Sequence, residues 1–565
     1  MPRTSSADPE SSLRVWRAPR APALVNRAVI TGLAAAMLCQ IILLVIVSWN
    51  NRRLVNPDTI SYMRIASYYA RGQTDLMVSA YWGPMLSWLI APLLGLVSEP
   101  VDAARIAIGL SAVVFVLGCA SVFRSFELRP SAVVLGTWIA VLASVAWAAT
   151  TMTPDLLLSG LVFLAVSLMT AARWPQSRHL QLGGGILWGA AYLTKAVAFP
   201  IAFGVSIGIG ALRVLSRDGK PAAVLQGMGL TFLGFMLLAG PWVVTLSWKY
   251  QGLMVSTSAR IAHAMVGPPG VDRGMLADPM IIHPPEPGRL WWGEDTPRHL
   301  YEDKYWSPFQ NLAYARHQVK VILSHIKVAL RYLSTFDPLH VGILAALFGF
   351  FVHTPWRENM RQERWRWAGL PIACVCGVYL PLYLYEERYF YPTYPFLLAA
   401  GMGMVVWLTR GVHGRVNVPR LIGFGLLTLA FVYPFATRLP QALKGLKDVR
   451  TEYAHDLATR LLAADVSGPI VGAGGYDNLW GGYGAGLFIA FYINQPYLGN
   501  EASPTIEGFK KSNATLVIVD RQLPVVDELA RDATFQDLDG ILFRTPMQAK
   551  EYPMKVYRIG ARGRE

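Results

Sequence analysis

The chain is a succession of long apolar runs separated by short polar loops. A membrane-spanning helix needs about 20 mostly apolar residues. Eleven stretches approach that requirement: 28–49, 103–123, 131–150, 155–172, 181–195, 196–212, 222–246, 338–354, 367–385, 389–409 and 420–437. The pair 181–195 and 196–212 is short and interrupted by Lys195 and Pro200. A different pattern follows the first run. From Ser61 the more polar residues Ser61, Arg64, Tyr68 and Arg71 recur at i, i+3, i+7 and i+10, and Ile60, Met63, Ile65 and Tyr69 fill the rest of the circumference. That spacing predicts a helix lying in the membrane interface, not crossing it. The stretch 81–97, interrupted by Trp82-Gly83-Pro84, is assigned to the same interface and not to a twelfth span.

Past residue 438 the pattern changes again. Short apolar runs PIVGAG (469–474), LFIAFYI (487–493), TLVIVD (515–520) and KVYRIG (555–560) alternate with polar helical stretches, which predicts a small α/β domain. The expected organisation is a cytoplasmic tail (1–27), a mainly α, polytopic transmembrane domain of about eleven helices (28–438), and an extracytoplasmic α/β domain (439–565). Outer loops are expected at about 50–102 and 248–335.

Composition supports the membrane reading. Hydrophobic residues make up 53% of the chain and charged residues 15%, against about 25% charged in soluble domains. The net charge of +15 would suggest nucleic acid in a soluble protein. Here the basic residues sit in short loops between apolar runs, so a nucleic-acid partner is not expected. With Arg3, Arg14, Arg17, Arg20 and Arg27 in the cytoplasm, eleven spans put the loops around Arg124/Arg129, Arg173/Arg178, Arg213/Arg217/Lys220, Arg357–Arg366 and Arg410–Arg420 on that same side. A full crossing at 81–97 would turn every later basic loop outward. The four cysteines all lie in apolar segments and form no disulfide or zinc pattern.

On this topology several ionisable residues reach the outer face. Asp58 follows Asn56-Pro57 at the start of the interfacial helix, and Asp155 stands where a span restarts in TMTPDLLLSG. Helix capping explains either acid on spacing alone. Their convergence on one membrane edge favours a functional site, since acids there are rare. Lys195, in WGAAYLTKAVAFP, either snorkels to the interface or binds a lipid phosphate. In YEERYFYP (385–392), an ion pair within the loop competes with phosphate binding by Arg388 and an orienting role for a glutamate. Tyr62, Arg64 and Glu387 are further candidates. The outer segment 248–335 carries Trp291, Trp292, Glu294, Asp295 and Trp306. Aromatics beside acids resemble a sugar-binding surface, but Trp also anchors at interfaces. Its histidines (His263, His283, His299) lack metal-ligand spacing, and its prolines suggest a long loop or lid. VGAGGYD (471–477) has Asp477 in place of the third glycine of a dinucleotide fingerprint and is rejected as one.

The motifs PDTISYMRIASYYARG, YWGPMLSWLIAPLLGL, RSFELRP, TPDLLLSGL, GAAYLTKAVAFP, GPWVVTLSWKYQG and EERYFYPTYPFLL, in this order, resemble the GT-C superfamily of polytopic glycosyltransferases. The nearest members are the bacterial aminoarabinose transferases and protein O-mannosyltransferases. The resemblance implies transfer of a sugar from a polyprenyl-phosphate carrier to a cell-envelope acceptor (lipid, polysaccharide or protein) on the non-cytoplasmic face of the bacterial inner membrane. It places the catalytic aspartate at Asp58, a second acidic loop residue at Asp155, and carrier-phosphate cations at Lys195 and Arg388. A carboxylate that takes the acceptor proton and cations that hold the departing phosphate suit a single inverting displacement. A divalent ion at Asp58 and Asp155 could assist, although two acids alone do not establish one. A transporter or flippase of lipid-linked sugars is the alternative from another class, and a non-catalytic member of the fold is a third. Against transport, no inverted repeat is visible and the ionisable residues cluster at the outer face, not at the midplane.

Overall fold

A computed structural model of the protein describes residues 27–271, 282–296, 306–412, 417–473, 483–501 and 504–560. The N-terminal tail, His299 and the Gly474–Asp477 part of the glycine-rich motif lie outside the described residues.

Among the described residues, seven helices are long and apolar enough to cross a membrane, including Arg27–Asn50, Pro100–Ser125, Pro130–Thr150, Ala198–Leu215 and Pro221–Lys249. The chain is a multi-pass membrane protein. Leucines on these helices face outward, as lipid contact requires: Leu38 is 61% exposed and Leu225 71%. The expected eleven full-length spans are not reproduced. Four of them appear as shorter helices: Asp155–Thr170, Arg178–Thr194, His340–Val352 and Gly369–Tyr379. The last occupies only the middle of the apolar run 367–385, because the 3₁₀ turn Arg364–Ala368 precedes it and a turn takes over before Pro381. At 1.5 Å per residue its 11 residues cover about 17 Å, little more than half of the bilayer core.

The helix expected after the first apolar run forms, and a short helical segment follows it. Asn56 caps the helix Pro57–Ala70 by accepting the Thr59 N–H at 2.8 Å, with Pro57 in the first helical position, where its missing N–H costs nothing. After Gly72 (φ +67°) the chain turns back through Pro84–Ile90 and the 3₁₀ turn Ala91–Gly95. Those two segments together reach about 20 Å, too short to span.

The C-terminal domain holds one five-stranded sheet: β1 (Ile470–Ala473), β2 (Tyr497–Glu501), β3 (Leu516–Asp520), β4 (Phe535–Asp537) and β5 (Met554–Ile559), in the order β2-β1-β3-β5-β4. The β2-β1-β3 half is parallel and β5 runs antiparallel to both its neighbours. The run LFIAFYI, expected as a strand, is the end of helix Tyr483–Tyr492 instead. Topology decides this. A chain leaving β1 must cross over to enter β2 in the same direction, and a helix is the usual crossover. An apolar run of seven residues does not by itself distinguish a buried helix from a buried strand.

Hydrogen bonds among the described residues seat this domain on the membrane half. The Arg64 guanidinium donates to Asn494 Oδ1 at 2.7 Å. The outer segment runs along β2, where the His283 N–H donates to the Leu498 carbonyl (2.7 Å) and the Tyr497 N–H to that of Leu290 (2.6 Å).

Candidate active site

Four separate pieces of chain deliver charged side chains to one place. Asp58 stands in the first turn of the interfacial helix; since Asn56 already caps that helix, the Asp58 carboxylate is free to turn outward and meets Arg388 Nη2 at 2.7 Å. Asp155 opens the helix Asp155–Thr170 but makes no capping bond. Its Oδ1 accepts from Lys195 Nζ at 2.7 Å and its Oδ2 from the Thr153 hydroxyl at 2.6 Å. Lys195 sits in extended backbone (φ −158°) at the break between Arg178–Thr194 and Ala198–Leu215. Arg388 lies in the 3₁₀ stretch Glu387–Thr393, pairs with Glu386 at 2.6 Å, and holds Asp155 at 3.7 Å. Asp155 is 1% exposed and Arg388 9%, whereas Asp58 (32%), Lys195 (26%) and Glu386 (39%) keep part of their side chains open. The result is a buried floor with an accessible rim.

Packing holds this arrangement from below. Tyr391, three residues after Arg388, stacks on Trp147 with ring centroids 3.9 Å apart, and Tyr394 and Phe336 close around the pair. Lys195 Nζ lies 4.6 Å over the Tyr389 ring. Gly83 allows the interfacial corner to approach the Lys195 break. A Cβ there would stand 2.5 Å from the carbonyl oxygens of Leu193 and Thr194.

Above the site, Tyr62 and Trp82 meet edge to face at 5.0 Å. Burial pushes the Tyr62 hydroxyl well above its ordinary pKa, and the nearby charges of Asp58 and Asp155 add to this. Tyr81 responds in the same direction, to burial first and then to Asp58. The Glu386 carboxyl is raised by burial and by Asp58 and Asp155, with Arg388 and Lys195 opposing.

Of the residues anticipated from sequence, Asp58, Asp155, Lys195 and Arg388 come together, with Tyr62 beside them. Arg64 and Glu387 go elsewhere. Arg64 faces Asn494 and Glu294 (3.7 Å), and Glu387 turns to Arg438 at 3.0 Å, leaving Glu386 as the glutamate of the cluster. Two adjacent glutamates look alike in sequence; the direction of the backbone decides which one faces inward. Tyr81 was not anticipated either, and its place beside a Trp-Gly-Pro corner was the only available signal.

The described part of the outer segment is a strap and not an open aromatic surface. Trp291, Trp292 and Glu294 are buried. Asp295 accepts from Lys249 Nζ (2.9 Å) and the Tyr250 hydroxyl (2.6 Å), and the Trp82 indole donates to the Gly293 carbonyl at 2.7 Å. His263 bonds Gln318 at 2.8 Å and stacks on Trp306 at 4.4 Å, a structural role.

A divalent ion does not fit this donor set. The space among Asp58, Asp155 and Glu386 is taken by the Arg388 guanidinium, and Asp155 is further engaged by Lys195 and Thr153. Among the described residues no group of three or more His, Cys, Asp or Glu is disposed to hold a metal.

No family model matches the sequence, and none of the curated proteins compared with it does. Solved structures do. ArnT from Cupriavidus metallidurans, bound to undecaprenyl phosphate, superimposes with a TM-score of 0.55 at 15% identity, over 95% of this chain and 99% of that one. The likeness is one of fold. The apo state of the same ArnT matches equally, with a TM-score of 0.55 at 14% identity. The Archaeoglobus fulgidus oligosaccharyltransferase tethered to an acceptor peptide gives a TM-score of 0.52 at 11% identity, over 89% of this chain and 70% of that one. The agreement with ArnT runs through both the membrane half and the C-terminal domain.

Proposed function

We propose that this protein is an integral-membrane glycosyltransferase that moves a monosaccharide from a polyprenyl-phosphate carrier to an acceptor at the non-cytoplasmic face of a bacterial inner membrane. One observation carries the reading: on a GT-C fold, Asp58 stands at the open rim of a cluster in which Lys195 and Arg388 supply two cations beside it. Asp58 takes the acceptor hydroxyl proton as general base. Lys195 and Arg388 receive the phosphate that leaves with its polyprenyl chain, so the glycosidic C–O bond to the carrier breaks as the bond to the acceptor forms, with inversion. Three carboxylates against two cations leave the cluster at −1. An arriving phosphate adds negative charge beside Glu386, whose carboxyl is already raised by burial. Tyr62 and Tyr81, kept neutral, roof the donor sugar.

The test is mass spectrometry of envelope glycolipid, polysaccharide and glycoprotein from a deletion strain carrying either the intact gene or Asp58→Asn at equal protein level. A general base contributes about 10²–10⁴-fold, so one component should lose a fixed sugar mass in both the deletion and the Asp58→Asn strain. Full restoration by Asp58→Asn would remove Asp58 from the chemistry.

A further inference from the structure

A second cleft lies on the other side of the interfacial helix. Its volume is about 500 Å³, within the range of small-molecule sites. Ser67, on its wall, follows Asp58 by nine residues, about 900° of helix, or half a turn away from the catalytic face. Arg64 and Arg71, seven residues apart, point to the same side. Apolar walls come from Met63, Leu94 and Val97, and Tyr492 of the C-terminal domain closes the far end.

The charge around the cleft is lopsided. Arg64 is largely buried; its Nε faces Glu294 at 3.7 Å and its Nη1 donates to Asn494 at 2.7 Å, while Arg71 is exposed. Arg53 and Glu99 both lie near enough to Tyr492 for their charges to act on its hydroxyl. Three arginines, Arg53, Arg64 and Arg71, thus stand against two acids, Glu99 and Glu294. The cleft also lies at the start of an apolar helix long enough to cross a membrane. It borders Pro100, where the spanning helix Pro100–Ser125 begins, beside the end of Arg27–Asn50. Leu96 next to it is 78% exposed and Trp49, with Arg52 stacked 4.7 Å over its ring, 68% exposed. An exposed leucine and tryptophan at a helix end mark the depth of lipid headgroups.

We infer that this cleft binds the phosphodiester headgroup of an anionic membrane phospholipid. Arg64 and Arg71 hold the phosphate, and an acyl chain leaves over Leu94, Leu96 and Val97 into the bilayer. Because the ligand would touch both the interfacial helix and Tyr492, it would bind the outer domain to the membrane half. The inference rests on the placement of the cleft and does not depend on the transferase reading.

Native mass spectrometry of the full-length protein from mixed micelles of phosphatidylglycerol and phosphatidylcholine tests it. Phosphatidylglycerol should be retained preferentially. Each arginine near a membrane surface is worth about 1 kcal/mol toward anionic lipid, about fivefold, so R64Q and R71Q should each lower retention about fivefold, and E99Q should raise it. R71Q alters an exposed side chain, so its result does not depend on whether R64Q folds. Equal retention of the two lipids, or R71Q and E99Q both matching wild type, would overturn the inference. Displacement of the lipid by glycerol 3-phosphate at equal concentration would overturn it too, since the site would then be one for soluble phosphate.

Discussion

Arg388→Ala removes the cation on which three carboxylates converge. Its guanidinium reaches Asp58 at 2.7 Å, Glu386 at 2.6 Å and Asp155 at 3.7 Å. Without it, only Lys195 opposes three acids, and the cluster charge falls from −1 to −2. Breaking a buried ion pair by deleting one partner costs about 3–5 kcal/mol, because the remaining charge stays desolvated. Asp58 and Glu386 are about one-third exposed and recover part of that from water, so the cost falls mainly through Asp155 and lies near the lower end, about 3 kcal/mol. In a chain this large that corresponds to a fall in Tm of roughly 2–3 °C. Thermal unfolding of purified protein in detergent measures it. Adding Glu386→Gln to Arg388→Ala returns the cluster to −1 and should recover at least half the loss, without restoring transfer. An Arg388→Ala protein that melts with wild type, or a double variant that melts below the single one, would refute the electrostatic account of the cluster.

Lys195→Gln should act on donor binding. A hydrogen bond to a charged group is worth about 1.5–3 kcal/mol, so KM for the polyprenyl-linked donor should rise roughly 10–100-fold, with a smaller change in kcat, measured by transfer to a defined acceptor. Asp337 is buried, its Oδ1 accepts the Leu339 N–H at 2.8 Å, and its Oδ2 has no hydrogen-bond partner among the described residues. Burial raises its pKa from 3.8 to about 6. The folded state thus holds a proton that the unfolded chain releases, so stability contributed at low pH is lost as pH rises through about 6, up to about 3 kcal/mol at 1.36 kcal/mol per tenfold. Asp337→Asn should therefore raise Tm at pH 8 and leave it little changed at pH 4, read by pH-resolved melting curves. Gly83→Ala would drive a methyl into the carbonyls of Leu193 and Thr194, costing about 1–3 kcal/mol and shifting the Lys195 break. Both a lower Tm and a weaker donor affinity are expected.

The sequence by itself determined the membrane class, the helix that follows the first span and the residues at the core of the candidate site. These depend on local or compositional signals: a 20-residue apolar length, a polar stripe at helical spacing, and the rarity of acids and lysines at the edge of an apolar run. Only the tertiary structure decided the rest. Asp58 and Arg388 are separated by 330 residues, and no periodicity shows that Arg388 neutralises the very carboxylates around it or that it fills the place of a metal. The choice of Glu386 over Glu387 depended on one 3₁₀ turn. The helix at 483–492 depended on a parallel crossover, a long-range demand that an apolar heptamer does not carry. The shortened spans were equally invisible, because hydropathy counts apolar residues, while proline, turns and packing decide where the helix ends. Nor could composition show that Trp291 and Trp292 pack inward. Beside them Asp295 gathers Lys249, Tyr250 and Arg289 from distant and neighbouring chain, a long-range contact that composition does not carry.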